Sequence, residues 1–172
     1  MKYFIDTEFM ESPCTIELIS IGIFAENSRT FYAESNEFDP HKANPWVQKH
    51  VFPQLKYDPF NEKIRFGFSM WEDEFSIEML GNKNEIQQEI LRFIGTDKPE
   101  FWGYYSAYDW VIFCWLFGHM IALPDGWPMY CRDLKQLADS MPEKPRFAEP
   151  IGEHNALIDA AWNKDFYYYL KG

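Results

Sequence analysis

An α/β fold on a mixed sheet, opening with an antiparallel three-strand meander and continuing with parallel strands under helices on both faces, is the fold class this sequence predicts. Three observations predict it. Residues 2–8 (KYFIDTE), 15–25 (TIELISIGIFA) and 29–35 (RTFYAES) are runs of aromatic and β-branched residues, joined by connections too short to hold a crossover helix. The remainder of the chain alternates stretches of helical periodicity with short apolar runs. A hydrophobic content of 47% over 172 residues is enough for one sizeable core, so the expectation is a single domain over residues 1–172.

The elements follow in order. Glu26-Asn27-Ser28 supplies the turn between the second and third strands. Asn44-Pro45 sets a capping side chain before a proline at the first helical position, which predicts a short helix over 45–52 ended by Pro53. Residues 54–81 mix Pro59, Gly67 and Gly81 with scattered aromatics and read equally as a long functional loop or a small hairpin. From Asn84 the apolar residues Ile86, Ile90, Leu91 and Ile94 recur at helical spacing until Gly95, and residues 99–105 (PEFWGYY) read as a buried strand. Ser106 caps the next helix, whose run 111–117 (VIFCWLF) is apolar on nearly every side before Gly118 and belongs at the domain's centre. A short strand near 128–131, a helix near 132–140 and a Pro-rich loop over 142–150 lead to a last helix at about 155–170. The order β-β-β-α-α-β-α-β-α-α is that of a ribonuclease-H-like α/β fold.

The formal net charge of -11 argues against broad, non-specific adhesion to nucleic acid, which requires a positive field. It leaves room for a site where carboxylates recruit a divalent cation and the cation faces the phosphate. Cys14, Cys114 and Cys131 are odd in number and form no C-x-x-C pair, so neither a disulfide framework nor a zinc site is indicated. Acidic residues arrive before any apolar stretch of signal-peptide length, and no stretch approaches a membrane span. The expectation is a cytoplasmic protein with no membrane partner.

Asp6 and Glu8 lie two apart on the first strand, so both leave the same face beside Phe4 while Tyr3, Ile5 and Thr7 leave the other. Carboxylates roughly 7 Å apart in a half-buried place repel unless one is protonated or a cation lies between them. Ser106-Ala107-Tyr108-Asp109 matches a capping box, yet it also sets Asp109 in the first helical turn at a strand's C-terminal edge, where ligands of open α/β sheets bind. Five residues turn an ideal helix through about 500°, leaving the side chains of His154 and Asp159 about 140° apart, so the two converge only if His154 stands in the loop or at the cap. Each feature alone has an ordinary explanation as a solvated strand end, a helix cap or an exposed histidine. D-x-E on the first strand, Asp after a central strand and H-x4-D before the last helix, in that order, are far more specific together.

That arrangement resembles the DEDDh 3′-5′ exonucleases, the group of polymerase proofreading subunits, oligoribonuclease and ribonuclease T, with FIDTEF (4–9), YSAYD (105–109) and HNALIDA (154–160) similar to its three motifs. A narrower resemblance is to the polyadenylate-specific 3′-exoribonucleases of the RNase AS type. It rests on YFIDTEF, TIELISIGIFAE, WVQKHVFPQL (46–55), the AYD motif and HNALIDA, and residues 56–81 fall outside it. Ser106 departs from the group by standing where many of its members have Asn.

The resemblance implies a 3′-5′ exoribonuclease that releases nucleoside 5′-monophosphates from single-stranded RNA, with a preference for adenine-rich tails and pairing into a homodimer. It implies two Mg²⁺ or Mn²⁺ ions per active site, held by Asp6, Glu8, Asp109 and Asp159, with His154 as general base. These assignments suit the residue types, since carboxylates favour hard cations and an imidazole exchanges protons near neutral pH. Phe9, Tyr105 and Tyr108, with Ser106, are the candidate substrate contacts, the rings offering stacking platforms for terminal bases. Two rival readings are a non-catalytic RNA- or partner-binding module with the same fold, and an exonuclease for single-stranded DNA or short oligonucleotides.

Overall fold

The structure, a computed structural model, describes residues 1–61, 63, 76–143 and 145–172. β1 (Lys2–Ser12), β2 (Thr15–Ala25) and β3 (Thr30–Ser35) form the antiparallel meander. β4 (Ser76–Gly81) runs parallel to β3, β5 (Glu100–Gly103) parallel to β1, and β6 (Arg132–Asp133) parallel to β5. Among the described residues they make one mixed six-stranded sheet in the order β4-β3-β2-β1-β5-β6, a ribonuclease-H-like α/β architecture.

The helices are α1 (Pro45–His50), α2 (Lys83–Ile94), α3 (Ala107–Leu116), α4 (Leu134–Asp139) and α5 (Ala156–Lys171). Alternation along β1 sorts them between the faces. Tyr3 and Ile5 join Ile21, Ile23, Phe31 and Phe101 in a core shared with Ile86 and Ile90 of α2 and Phe113 of α3. Phe4 and Trp102 point the other way, to Phe166, Tyr167 and Leu170 of α5 and Leu134 of α4. A smaller cluster seats Val47 and Val51 of the α1 segment against Met10 and Ile19.

The expected signals at Asn44-Pro45 and Gly95 hold, while α1 ends at His50, ahead of a 3-10 turn over Phe52–Gln54 that contains Pro53, and α2 starts at Lys83, one residue before the expected Asn84. Asn44 accepts from the Val47 amide ahead of Pro45, Asn82 and Glu85 form a reciprocal capping box, and Gly95 ends α2 in the left-handed region.

Three elements differ from expectation. Within 54–81, residues 76–81 form an edge strand parallel to β3, adding a strand to the predicted order; 62 and 64–75, on which the choice between loop and hairpin turned, lie outside the described residues. The strand expected near 128–131 is displaced to Arg132–Asp133, while the β-prone Met129 and Tyr130 stay exposed. An edge strand of two residues needs no apolar side chain, and Asp133 also caps α4 by accepting from the Gln136 amide. The capping box read in Ser106-x-x-Asp109 does not form: Ser106 donates from its amide and hydroxyl to Asp133 at 2.8 and 3.3 Å, and Asp109 accepts from Thr7. Among the described residues no helix is long and apolar enough to cross a membrane.

Gly22 allows α5 to lie directly on β2, since a Cβ there would stand 2.2 Å from the Ala156 carbonyl oxygen. Gly22→Ala is expected to destabilise the fold by about 1–3 kcal/mol or more, because the obstacle is backbone and not a movable side chain. A chemical-denaturation midpoint unchanged from the parent chain would show that α5 shifts without cost.

Candidate active site

β1 and β5 run parallel, so their C-terminal ends open on the same sheet edge, where α3 follows β5 and the start of α5 packs across β1 and β2. Asp6 and Glu8 leave β1 on its α5 side. Immediately beyond them the pairing with β2 slips by one residue, between Glu8 and Phe9. Such a bulge re-aims a strand at a site rim. Asp159 is in the first turn of α5, and one oxygen from each of Asp6, Glu8 and Asp159 lies within 4.8 Å of the others. Asp109 faces the same cleft from α3, with Oδ1 accepting from the Thr7 amide at 2.9 Å and the Thr7 hydroxyl at 2.6 Å. Thr7, which points to the opposite face from its neighbours, thereby fixes the fourth carboxylate.

His154 stands outside the helix, as convergence with Asp159 requires. Asn155 is the N-cap of α5, accepting from the amides of Leu157 and Ile158, and His154 precedes it at φ 70°. The His154 amide donates to Asp159 Oδ2 at 2.9 Å. Its imidazole lies edge-on to Trp46, 4.8 Å between centroids, and 5.9 Å from His50.

Together these residues line a cleft of about 570 Å³ with Phe9, Tyr104, Tyr105, Tyr108, Glu149, Glu153, Trp162 and Asn163. Tyr105 is 63% exposed and held at φ 54°, a left-handed conformation uncommon for a bulky residue. Phe9 and Tyr108 meet edge to face at 5.7 Å on another part of the wall. Ser106 is buried behind the wall, tied to Asp133.

No Lys or Arg is among the described residues lining this cleft. Burial is the first cause that pushes Asp6, Glu8, Asp109 and Asp159 up, and the charge of neighbouring carboxylates adds to it. Glu8 is raised to about 8, with Asp159, Asp109 and Glu153 contributing after burial. Asp159 reaches about 7 although the His154 amide opposes the rise, and Asp109 about 6 although both Thr7 hydrogen bonds do. Asp6, beside all three others, is held well above the usual carboxylate range. A set of crowded hard oxygen donors with no cation of the protein's own is the donor set that Mg²⁺ or Mn²⁺ takes.

The cleft brings together the four carboxylates and the histidine named from the sequence, and around them stand Thr7, Glu153, Trp46, His50 and Asn163, which were not named. Asn163 donates to the Ile5 carbonyl at 3.0 Å and fixes α5 to β1. A usable signal existed for Trp46 and His50, whose i,i+4 spacing on a capped helix places both rings on one face. The others depend on contacts between distant segments.

The chain matches no protein-family model. Two proteins from two strains of Mycobacterium tuberculosis, each named a 3′-5′ exoribonuclease, are 42% identical to it over 165 residues, covering 93% of this chain and 87% of their own length.

The raised carboxylates set a pH dependence of known sign. The folded chain keeps protons that the unfolded chain releases near pH 4, so without divalent cations this cluster costs increasing stability as pH rises from about 4 towards the folded value of about 8 for Glu8. In chelator, Asp6→Asn is expected to melt a few degrees above the parent at pH 8, with the gap closing towards pH 4. A variant that melts lower at pH 8 would contradict the crowding.

Proposed function

The chain belongs to the family of the mycobacterial 3′-5′ exoribonucleases, and we propose that it removes nucleotides from the 3′ end of single-stranded RNA by hydrolysis dependent on two divalent cations. The observation that carries the metal-dependent part is the convergence of Asp6, Glu8 and Asp159 within 4.8 Å in a cleft that also holds Asp109. In this reading residues 1–172 form one exonuclease domain of the DEDDh group.

Asp6, adjacent to the other three carboxylates, would hold the two Mg²⁺ or Mn²⁺ ions together with Glu8, Asp159 and Asp109. When bound, such ions bring positive charge to the scissile phosphate and make water a better nucleophile. The chain's own residues do the rest. Thr7 and the His154 amide hold Asp109 and Asp159 in place. His154 takes the proton of the attacking water, its imidazole making no hydrogen bond to another group among the described residues. Tyr105, and the edge-to-face pair Phe9 and Tyr108, offer ring faces to the terminal bases, and Ser106 supports that wall through Asp133.

Stacking serves a chain of net charge -11 well, because bases are held without a positive field. An adenine-rich tail stacks well on such rings, which supports the RNase AS-type preference. A homodimer and a reducing, cytoplasmic setting belong to the same reading, and Cys14, Cys114 and Cys131 are all unpaired.

Ladders from 5′-labelled A-tailed RNA, mixed-sequence RNA and single-stranded DNA are expected to shorten from the 3′ end with Mg²⁺ or Mn²⁺, fastest on the A-tail, and to stay intact in chelator. Equal rates on all three, or digestion in excess chelator, would remove base preference or metal dependence respectively. Light scattering should return twice the monomer mass. His154→Ala is expected to lower turnover about 10²–10⁴-fold with the Mn²⁺ requirement unchanged, whereas Asp159→Ala should raise the Mn²⁺ needed for any residual rate. Recovery of His154→Ala by added metal alone would remove the histidine from the role of base.

A further inference from the structure

His154 poses a positioning problem. A general base is commonly oriented by a third group that hydrogen-bonds its far nitrogen. Among the described residues the His154 imidazole has no such partner, although its backbone is fixed by the amide bond to Asp159 Oδ2. Both side-chain torsions therefore depend on packing. The packing is supplied by two rings of α1: Trp46, edge-on at 4.8 Å, and His50, at 5.9 Å. Those two stack on each other at 5.1 Å with an interplanar angle of 26°, as i,i+4 neighbours on one helix face can.

The clamp is anchored from both sides. Asn44 and Pro45 fix the start of α1, and Val47 and Val51 are buried against Ile19, the β2 residue left over where the pairing with β1 slips. The loop carrying His154 is tied to the same region, because Asn155 Nδ2 donates to the Gln54 carbonyl at 3.0 Å, just after α1. Asn155 thus caps α5 and holds the base's loop against the helix that carries the two rings. Trp46 is nevertheless 52% exposed, so its ring is not retained to fill the core.

We propose that Trp46 and His50 are positioning residues that hold the His154 imidazole at the cleft by ring contacts alone, leaving both its nitrogens free for proton transfer; this rests on His154 being the general base of the proposed nuclease. A carboxylate in the same role would add another negative charge to a cluster already crowded with them. An aromatic clamp adds none.

The test is a double-mutant cycle in single-turnover RNA hydrolysis, read together with KM, the Mn²⁺ requirement and the His154 imidazole proton resonances. Trp46→Ala is expected to lower kcat about 10–100-fold, the range for a loosened reacting group, with KM and the Mn²⁺ requirement unchanged. Trp46→Phe, which keeps a ring edge against the imidazole, restores most of that loss, and His50→Ala causes a smaller loss in the same direction. The His154 resonances shift in Trp46→Ala as the indole ring current is removed. In a His154→Ala background, Trp46→Ala should change kcat no further, since a positioning residue acts only through the group it positions. A rise in KM at constant kcat, or a Trp46→Ala loss that persists without the His154 side chain, would overturn the clamp and give the ring to the substrate instead. Full activity of Trp46→Ala would overturn the clamp alone, whereas an inactive parent chain with Mg²⁺ and Mn²⁺ present would overturn the nuclease reading with it.

Discussion

Asp6, Glu8, Asp109 and Asp159 are gathered in one cleft that no lysine or arginine lines among the described residues, and much of the local architecture holds them there. Left to themselves, Asp6, Glu8, Asp109 and Asp159 would separate or take up protons: burial raises all four towards the protonated state, helped by their mutual repulsion at Asp6 and Glu8, by Asp133 at Asp109, and by Glu153 and Glu149 at Asp159. The fold counters this with contacts from several segments. Gly22 lets α5 close on β2, Asn163 fixes α5 to the Ile5 carbonyl, and Thr7 fastens Asp109 from the far face of β1. The His154 amide does the same for Asp159. An arrangement that stores electrostatic repulsion in this way is characteristic of sites built for a cation or for proton transfer.

How far the sequence disclosed this depended on whether the information was local. The alternation Phe4-Asp6-Glu8 needs only the two-residue strand period, and the structure turns these side chains to the α5 face. The helix beginning at Asn44-Pro45 and the stop at Gly95 follow from backbone stereochemistry and were equally legible. Helical geometry required His154 to stand outside α5 if it was to meet Asp159, and its left-handed φ accomplishes that placement.

The misreadings arise where a distant partner decides. Ser106 and Asp109 have the spacing of a capping box, but Asp133 and Thr7, far away in sequence, provide better partners for both. β4 was hidden because Ser76–Gly81 is a half-buried edge segment whose identity as a strand comes from parallel pairing to β3. β6 was sought among apolar residues and found in Arg132–Asp133, because an edge strand can be chosen for caps and hydrogen bonds instead of burial. The spacing of Trp46 and His50 puts both rings on one face of α1, but their place beside His154 comes only from α1 lying against the loop before α5.

The measurement closest to the central claim, that these carboxylates are crowded in order to take up divalent cations, is proton release on Mn²⁺ binding. It is read by titration calorimetry of the metal-free chain in buffers of different ionisation enthalpy. With Glu8 raised to about 8 and Asp159 to about 7, the cluster holds protons at neutral pH that a cation must displace. The account predicts saturable binding at pH 7 with release of about one proton or more, shrinking as pH approaches 9, and loss of both binding and release in Asp6→Asn. Mn²⁺ binding at pH 7 without proton release, or no saturable binding at all, would contradict it.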